Sequence, residues 1–146
     1  MKQKITMNHT EKPYHVLIAD DADQECCMLK TAIHQYSKWR LVGEVHSNDA
    51  LMAYLQGEIP YHNRSQHLLP DLLLMDAILP GGQAPGVLNW VRNHPEMTMQ
   101  VIVLGGVFMS DYCNHLIQLG AQAWVRKIEN PDLLACLINN IATQLH

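Results

Sequence analysis

The sequence predicts an α/β fold, in which a doubly wound parallel sheet of five strands is covered by five helices on both faces. Short apolar runs alternate with amphipathic helical patterns five times along the chain, and this alternation is typical of parallel sheets with right-handed crossovers. The length of 146 residues fits one domain. With 48% hydrophobic and 16% charged residues, the chain has the composition of a folded protein rather than a disordered one.

Composition also excludes several classes of function. The formal net charge is −4 and no run of Lys or Arg occurs, so we expect no nucleic-acid partner. No apolar stretch approaches ~20 residues, and residues 1–14 are polar, unlike a secretory signal. We therefore expect no membrane contact and a cytoplasmic location. Neither the four cysteines nor the nine histidines follow the spacing of a zinc site, and we expect reduced, buried thiols.

The first strand and helix follow a polar start. Residues 1–13 are polar and aperiodic and end in a proline, which predicts a flexible N-terminal arm before one domain over 14–146. The short apolar run 15–19 predicts a buried first strand. Apolar residues then recur at helical spacing over 22–37, which predicts the first helix.

A second strand and helix come next, before a long connection. Residues 39–46 predict the second strand, and Ser47 or Asn48 can cap the helix that follows. Glycines, prolines and polar residues over 57–70 predict a loop longer than most connections from a helix to a strand.

The third strand is the clearest apolar run of the chain. It covers 71–76, and Pro80 with two glycines interrupts whatever follows. A proline in the first turn and another just beyond the end predict the third helix over 85–94.

Two more strand and helix pairs complete the domain. The run 101–104 predicts the fourth strand, and Ser110 is expected to cap the fourth helix. The fifth strand is predicted over 121–127. Asn130, followed by a proline and an aspartate, predicts the start of the last helix, whose apolar stripe extends to Leu145.

Charged side chains follow three of the predicted strands. Asp20 and Asp21 end the first, Asp76 ends the third and Lys127 ends the fifth, and ligands of doubly wound sheets bind beyond the carboxyl ends of the strands. An acidic pair after one strand is often only a helix cap, as Asp21 could be. Three carboxylates at one edge repel one another, and Mg²⁺ would offset that repulsion with oxygen ligands. Lys127 suits a carboxylate or the oxygens of a transferred phosphoryl group.

Four segments carry a resemblance to a known family: 16–21, 70–81, 101–104 and 119–127. The most specific is Pro-Asp-Leu-Leu-Leu-Met-Asp-Ala-Ile-Leu-Pro-Gly at 70–81. Over 15–145 the chain resembles the receiver domain of bacterial two-component response regulators, which implies the flavodoxin-like strand order 2-1-3-4-5. The loop at 57–69 and the segment 87–96 are similar to stand-alone receivers that partner bacteriophytochrome-type kinases.

The resemblance implies a role for each candidate residue in a phosphorelay, with a sensor histidine kinase as the donor. The roles are these: Asp76 as phosphoryl acceptor; Asp20, Asp21, Asp76 and the backbone carbonyl of Ile78 as Mg²⁺ ligands; Lys127 as a phosphoryl contact; and Trp124 as the switch aromatic. The protein would be a substrate of phosphotransfer rather than an enzyme. Because the chain ends soon after the last helix, we expect its signal to pass through a partner protein or a homodimer. The homodimer face would comprise helix 4, strand 5 and helix 5, with Tyr112, His115 and Trp124 exposed near it.

The sequence departs from the family near this site. Gly105 stands at the phosphoryl-contacting position where a Thr or Ser hydroxyl is usual, and Ile128 stands where a proline is usual. Gln83 and Ala84 replace the usual acidic residue and glycine. We therefore expect a trans peptide before Ile128, little change around Trp124 on phosphorylation, and a larger change in a Gly105→Thr variant.

Two other functions remain to be weighed. A pseudo-receiver that acts by protein contact alone is the alternative that these departures favour, and a measured Mg²⁺ affinity would separate it from a phosphoacceptor. A flavodoxin-like cofactor carrier is disfavoured, since the acidic residues at 20–23 would repel a phosphate.

Overall fold

The protein was analysed as a computed structural model that describes residues 12–144. The five strands are β1 (Tyr14–Ala19), β2 (Trp39–Val45), β3 (Leu72–Asp76), β4 (Gln100–Gly105) and β5 (Ala123–Arg126). The helices are α1 (Asp23–Ile33), α2 (Asn48–Gln56), α3 (Ala84–Arg92), α4 (Ser110–Gln118) and α5 (Pro131–Gln144), with 3₁₀ turns at Pro95–Met97 and Val107–Met109. The strands pair in parallel in the order β2-β1-β3-β4-β5. The predicted fold is confirmed. The arm predicted over 1–13 lies outside the described residues except for its last two, and so does Leu145.

Two hydrophobic clusters, one on each face of the sheet, explain why β3 is apolar from Leu72 to Met75. Leu73 and Met75 point into a cluster with α2, α3 and α4, whereas Leu72 and Leu74 point into a cluster with α1 and α5. Successive residues of a strand face opposite sides, so a strand covered on both sides needs no polar position. Within residues 12–144 no helix combines the length and the apolar character needed to cross a membrane.

Most predicted helix starts are confirmed, and one is wrong. Ser47 caps α2, because its hydroxyl accepts from the Ala50 N–H at 3.1 Å, and the Asn130 side chain accepts from the Leu133 N–H at 3.1 Å. Ser110 is not a cap but the first helical residue of α4, which follows directly on the 3₁₀ turn that ends at Met109.

Two helices end earlier than the sequence predicts. The apolar stripe predicts α1 as far as residue 37, yet α1 ends at Ile33. Its continuation forms turns, in which Tyr36 packs on Trp39 with ring centroids 4.9 Å apart. An aromatic residue that is apolar at helical spacing can therefore belong to the turn that leads into the next strand. The third helix ends at Arg92 rather than at residue 94.

The loop between α2 and β3 is as long as predicted and is held by side chains. The Tyr54 hydroxyl lies 2.8 Å from the carbonyl oxygen of Leu68. The Arg64 guanidinium donates to the carbonyl oxygens of Leu55 at 2.9 Å and His67 at 3.2 Å. These bonds fix the loop against α2.

The turn that follows β3 packs tightly against the start of α2. The Asn48 N–H donates to the carbonyl oxygen of Pro80 at 2.8 Å. A Cβ atom at Gly82 would lie 2.3 Å from Asn48 Nδ2 and 2.9 Å from Asn48 Cβ. Glycine is required here by close approach, because no movement of the amide end alone would relieve the second of these contacts.

We predict that Gly82→Ala lowers the free energy of unfolding by about 1–3 kcal/mol, the usual effect of overpacking. Gly86→Ala is the matched control, since Gly86 is exposed in α3 with nothing within 4 Å of its added Cβ, and alanine there should raise the free energy of unfolding by roughly 0.5–1 kcal/mol. Urea unfolding of both variants measures this. Equal stabilities would contradict the close contact.

Candidate functional site

The carboxyl ends of β1, β3 and β5 bring the four predicted charged residues together. Lys127 Nζ lies 2.9 Å from Asp76 Oδ2 and 3.6 Å from Asp20 Oδ2. One carboxylate oxygen each from Asp20, Asp21 and Asp76 lies within 4.8 Å of the other two. This convergence follows from the parallel sheet, in which neighbouring strands end at the same edge.

Asp20 is the most buried of the acidic residues, with an exposed fraction of 0%. Its Oδ1 accepts from the Ala22 N–H at 3.0 Å, but its Oδ2 has no hydrogen-bond partner among residues 12–144. Burial, and then the charge of Asp76, raise the pKa of Asp20 above its ordinary value, although the Ala22 bond and Lys127 oppose the shift. An orphaned, buried carboxylate oxygen that faces two other carboxylates fits a site for a cation.

Asp76 and Lys127 form a preorganised pair at the centre of the site. Asp76 Oδ1 accepts from the Ile78 N–H at 3.1 Å, and Asp76 Oδ2 accepts from Lys127 Nζ at 2.9 Å. Burial lowers the pKa of Lys127, but the hydrogen bond and charge of Asp76, with Asp20 and Glu25, outweigh it and leave that pKa raised. Lys127 is therefore a full positive charge at neutral pH.

The donor set suits a hard divalent cation. Carboxylate oxygens are the ligands that Mg²⁺ prefers, and Asp21 is exposed where a partly hydrated ion could reach it. Asp21 is not a helix cap: Ala22 occupies the N-cap position of α1. The Ile78 carbonyl stays a predicted ligand, since the contact seen for Ile78 is that of its N–H.

Sequence reasoning missed one charged member of the site. Glu25 Oε1 lies 3.4 Å from Lys127 Nζ, so Lys127 faces three carboxylates rather than two. Its position in the first turn of α1, directly after the acidic pair, is a signal that could have found it, because the first turn of that helix sits over the end of β1.

A second missed residue is Cys113, which fills the space beside Gly105. A Cβ atom at Gly105 would lie 2.6 Å from Cys113 Sγ. The thiol is buried, and burial, then the charge of Asp76, raise its pKa. A sulfur atom therefore stands next to the position at which the family resemblance expects a hydroxyl. No spacing in the sequence links these two residues.

Other predictions near the site have mixed outcomes. The peptide bond before Ile128 is trans, as predicted, since the cis bond among the described residues is Ile59–Pro60. Trp124 lies on β5 opposite Val103 and, like Tyr112, is half-buried against the core rather than exposed. Both pack on apolar neighbours that an isolated strand or helix pattern does not reveal.

All four cysteines are free, but not all are buried. Cys26 and Cys113 are buried, whereas Cys27 and Cys136 are exposed. None of the four forms a disulfide, and the prediction that they are all buried is wrong. Cys27 is exposed because it follows Cys26 directly on α1, and adjacent residues of a helix face different directions.

Two exposed apolar side chains lie beside the site. Ile78 and Phe108 have exposed fractions of 62% and 98%. They border an open cleft of about 570 Å³ that begins at Ala77, the residue after Asp76. Asp76 itself is only 7% exposed.

Known structures share this architecture. The chain aligns with the phosphorylated cyanobacterial phytochrome response regulator RcpA at 24% identity, covering 88% of this chain and 91% of that one, with a TM-score of 0.73. The Mn²⁺-bound response regulator Rcp1 aligns at 22% identity over 90% of this chain and 93% of its own, with a TM-score of 0.74. The protein has the receiver fold of response regulators. The receiver (REC) domain of RcsB from Salmonella enterica serovar Typhimurium, in the presence of phosphomimetic BeF₃⁻, aligns at 20% identity over 90% of each chain, with a TM-score of 0.70.

The receiver fold agrees with the resemblance found in the sequence, and one of these structures, RcpA, is a phytochrome response regulator. No family model matches the sequence, and no curated protein matches it. At these identities the structures establish the fold, and the chemistry must be argued from the site itself.

We predict that Asp20→Asn stabilises the metal-free receiver fold by about 1–3 kcal/mol, because it removes a fully buried charge whose Oδ2 accepts no hydrogen bond from the described residues. The raised pKa of Asp20 also indicates that its charge destabilises the fold. The folded state favours the protonated form, so the free energy of unfolding falls as pH rises through that pKa. Asparagine keeps the Oδ1 acceptor for Ala22. Thermal unfolding with and without Mg²⁺ measures both effects.

Added Mg²⁺ should stabilise the wild type by binding the folded state, and should leave Asp20→Asn nearly unchanged. Asp23→Asn, at the exposed first residue of α1, is the control and should respond like the wild type. Equal Mg²⁺ stabilisation of Asp20→Asn and the wild type would contradict the metal site.

Proposed function

We propose that this protein accepts a phosphoryl group on Asp76 from the phosphohistidine of a sensor histidine kinase, in a Mg²⁺-dependent reaction. One observation carries the proposal: oxygens of Asp20, Asp21 and Asp76 lie within 4.8 Å of one another, and Lys127 Nζ lies 2.9 Å from Asp76 Oδ2. A cluster of carboxylates beside a single lysine destabilises a folded protein. Binding of a cation and a phosphoryl group would explain why the protein has such a cluster.

In the proposed reaction an Asp76 oxygen attacks the phosphorus atom of the donor. A P–O bond forms, the P–N bond breaks, and the imidazole nitrogen keeps the bonding electron pair. Lys127 is positioned to bind an oxygen of the transferred group. Mg²⁺ held by Asp20, Asp21 and Asp76 would neutralise negative charge on that group. The chain is the acceptor in this scheme and not the enzyme.

The positive charge of Lys127 serves both states of the proposed cycle. Before transfer it offsets the carboxylates of Asp76, Asp20 and Glu25. After transfer the phosphoryl oxygens carry more negative charge than Asp76 did, so the same ammonium has a stronger partner within reach. Because the ammonium sits on a flexible four-carbon stem, it can follow that charge without movement of β5.

The pseudo-receiver alternative receives less support. Gly105 and Ile128 favour it, since both depart from the family at the site. A module that acts by contact alone would gain nothing from the unpartnered, buried oxygen of Asp20, whereas a phosphoacceptor would. Mg²⁺ affinity is the measurement that separates the two functions.

Further parts of the proposal concern partners. The histidine kinase and the receiver would meet in the cytoplasm, and nucleic acid stays outside the proposal because the chain lacks a run of basic residues. The output would pass through a partner protein or a homodimer that uses α4, β5 and α5. His115 and Ile117 are exposed on α4 and available for such contacts.

We predict that incubation with Mg²⁺ and a small phosphodonor adds one phosphoryl group, and that Asp76→Asn abolishes the addition. Intact-mass spectrometry measures it. Asp49→Asn is the control, since Asp49 lies near the β3–α3 turn, with its carboxylate 3.6 Å from a Cβ built at Gly81, but outside the acidic cluster. Labelling that survives Asp76→Asn would overturn the assignment of the acceptor.

We further predict that Gly105→Thr alone destabilises the protein by about 1–3 kcal/mol, because its Cβ would meet Cys113 Sγ at 2.6 Å. This revises the expectation that threonine alone enlarges the switch. Gly105→Thr combined with Cys113→Ala should recover stability and enlarge the change in Trp124 fluorescence caused by BeF₃⁻. The measurement uses a background in which Trp124 is the remaining tryptophan.

Cys113→Ala by itself is the control for this pair and should leave the Trp124 response small. If Gly105→Thr were as stable as the wild type, or if the double variant responded no more than the wild type, Cys113 would not be the residue that displaces the hydroxyl.

A further inference from the structure

Three potential metal ligands of different chemistry meet where α1 packs on the end of β2. One atom each from the Cys26 thiol, the Glu44 carboxylate and the His46 imidazole lies within 4.8 Å of the other two. Glu44 Oε2 and His46 Nε2 are 2.7 Å apart. This cluster lies outside the acidic site and takes no part in the proposed phosphotransfer.

The set matches zinc better than magnesium. Thiolate, imidazole and carboxylate are the ligands that Zn²⁺ takes in proteins, whereas Mg²⁺ prefers oxygen alone. Cys26 is 1% exposed and closes the inner side. The side chains of Glu44 and His46 are 22% and 55% exposed, which leaves a route from solvent and room for a water as fourth ligand.

We propose that Cys26, Glu44 and His46 form a zinc-binding site, with water completing a tetrahedral set. On binding, the Cys26 thiol loses its proton to solvent and the sulfur coordinates the ion, as zinc thiolates do. His46 binds as the neutral imidazole. The site is independent of the proposed phosphoacceptor function.

Lys30 is the competitor of the proposed ion. Its Nζ lies 2.9 Å from Glu44 Oε1, and the hydrogen bonds from His46 and Lys30 lower the pKa of Glu44 to about 2. Glu44 is therefore a charged ligand already. The side chain of Lys30 is 39% exposed, and exposed ion pairs contribute little, so the ammonium can leave for water when a divalent cation replaces it.

The position of Cys26 places this site beside the acidic one. Cys26 Sγ donates to the backbone carbonyl of Asp20 at 3.2 Å. Loss of the thiol proton on zinc binding would therefore remove the hydrogen bond that the carbonyl oxygen of Asp20, a residue of the candidate Mg²⁺ site, accepts. The two ions would still use different side chains.

Cobalt(II) titration of the reduced full chain tests the proposal, because Co²⁺ bound to a thiolate gives a sulfur-to-metal charge-transfer absorption that carboxylate sites lack. The wild type should show this band with one equivalent of Co²⁺, and Zn²⁺ should remove it. Cys26→Ala should abolish the band. Cys27→Ala, at the exposed neighbouring cysteine, is the matched control and should retain it.

The side chains of His46 and Lys30 are partly exposed, so variants at these two positions test metal binding without disturbing the hydrophobic core. His46→Asn should weaken Co²⁺ binding by more than the roughly 10–100-fold lost with an outer-shell partner. Lys30→Met should strengthen binding, because it removes the competing ammonium. Asp76→Asn should leave the band unchanged.

Three results would overturn the proposal. They are a wild type without the band, a band that Cys27→Ala removes as fully as Cys26→Ala does, and a band that His46→Asn leaves unchanged. None of them would bear on phosphorylation of Asp76, which is read by mass.

Discussion

The ion pair between Lys127 and Asp76 is the interaction on which the site depends. Asp76 and the fully buried Asp20 would repel each other at the end of the sheet, and the ammonium 2.9 Å from one and 3.6 Å from the other offsets this repulsion. Coulomb interactions are several times stronger near a protein interior than in water. Without Lys127 the acidic edge would be stable only with bound cations or with protonated carboxyl groups.

The apolar sheet supports this unfavourable cluster. β3 is buried along its whole length, and its side chains pack into both hydrophobic clusters. The strand therefore holds Asp76 at a fixed place even though its carboxylate is poorly solvated. Lys127 is fixed from the other side, because its N–H donates to the carbonyl oxygen of Gly105 at 2.9 Å. Burial of apolar surface stabilises the fold. This stabilisation offsets the unfavourable burial of charge at the site.

The sequence predicts features that depend on residues close together in the chain or on the regular alignment of strand ends. It does not predict contacts between separate elements. Asp20, Asp76 and Lys127 were found because a parallel sheet aligns strand ends, and Ser47 and Asn130 because caps are local. The contact of Cys113 with Gly105 could not be found, because it depends on how α4 packs against the end of β4, and no local sequence pattern records that packing. The proposed zinc ligands Cys26, Glu44 and His46 were missed for a similar reason: they come from α1 and from the end of β2, and the packing of these two elements has no signature in sequence spacing.

The Cys113 sulfur lies beside Gly105, where the family has a hydroxyl side chain. This difference affects how the proposed switch works. A threonine hydroxyl is a good donor to a phosphoryl oxygen, whereas a thiol is a weak one. With Cys113 Sγ in the space beside Gly105, Lys127 and the proposed Mg²⁺ ion would offset more of the charge on a phosphoryl group at Asp76. Lys127 directly follows β5, and its backbone N–H donates to the carbonyl oxygen of Gly105. A conformational response would therefore start at the β5–α5 connection, and α4 would follow through Cys113 only after the packing of sulfur against Gly105 had changed.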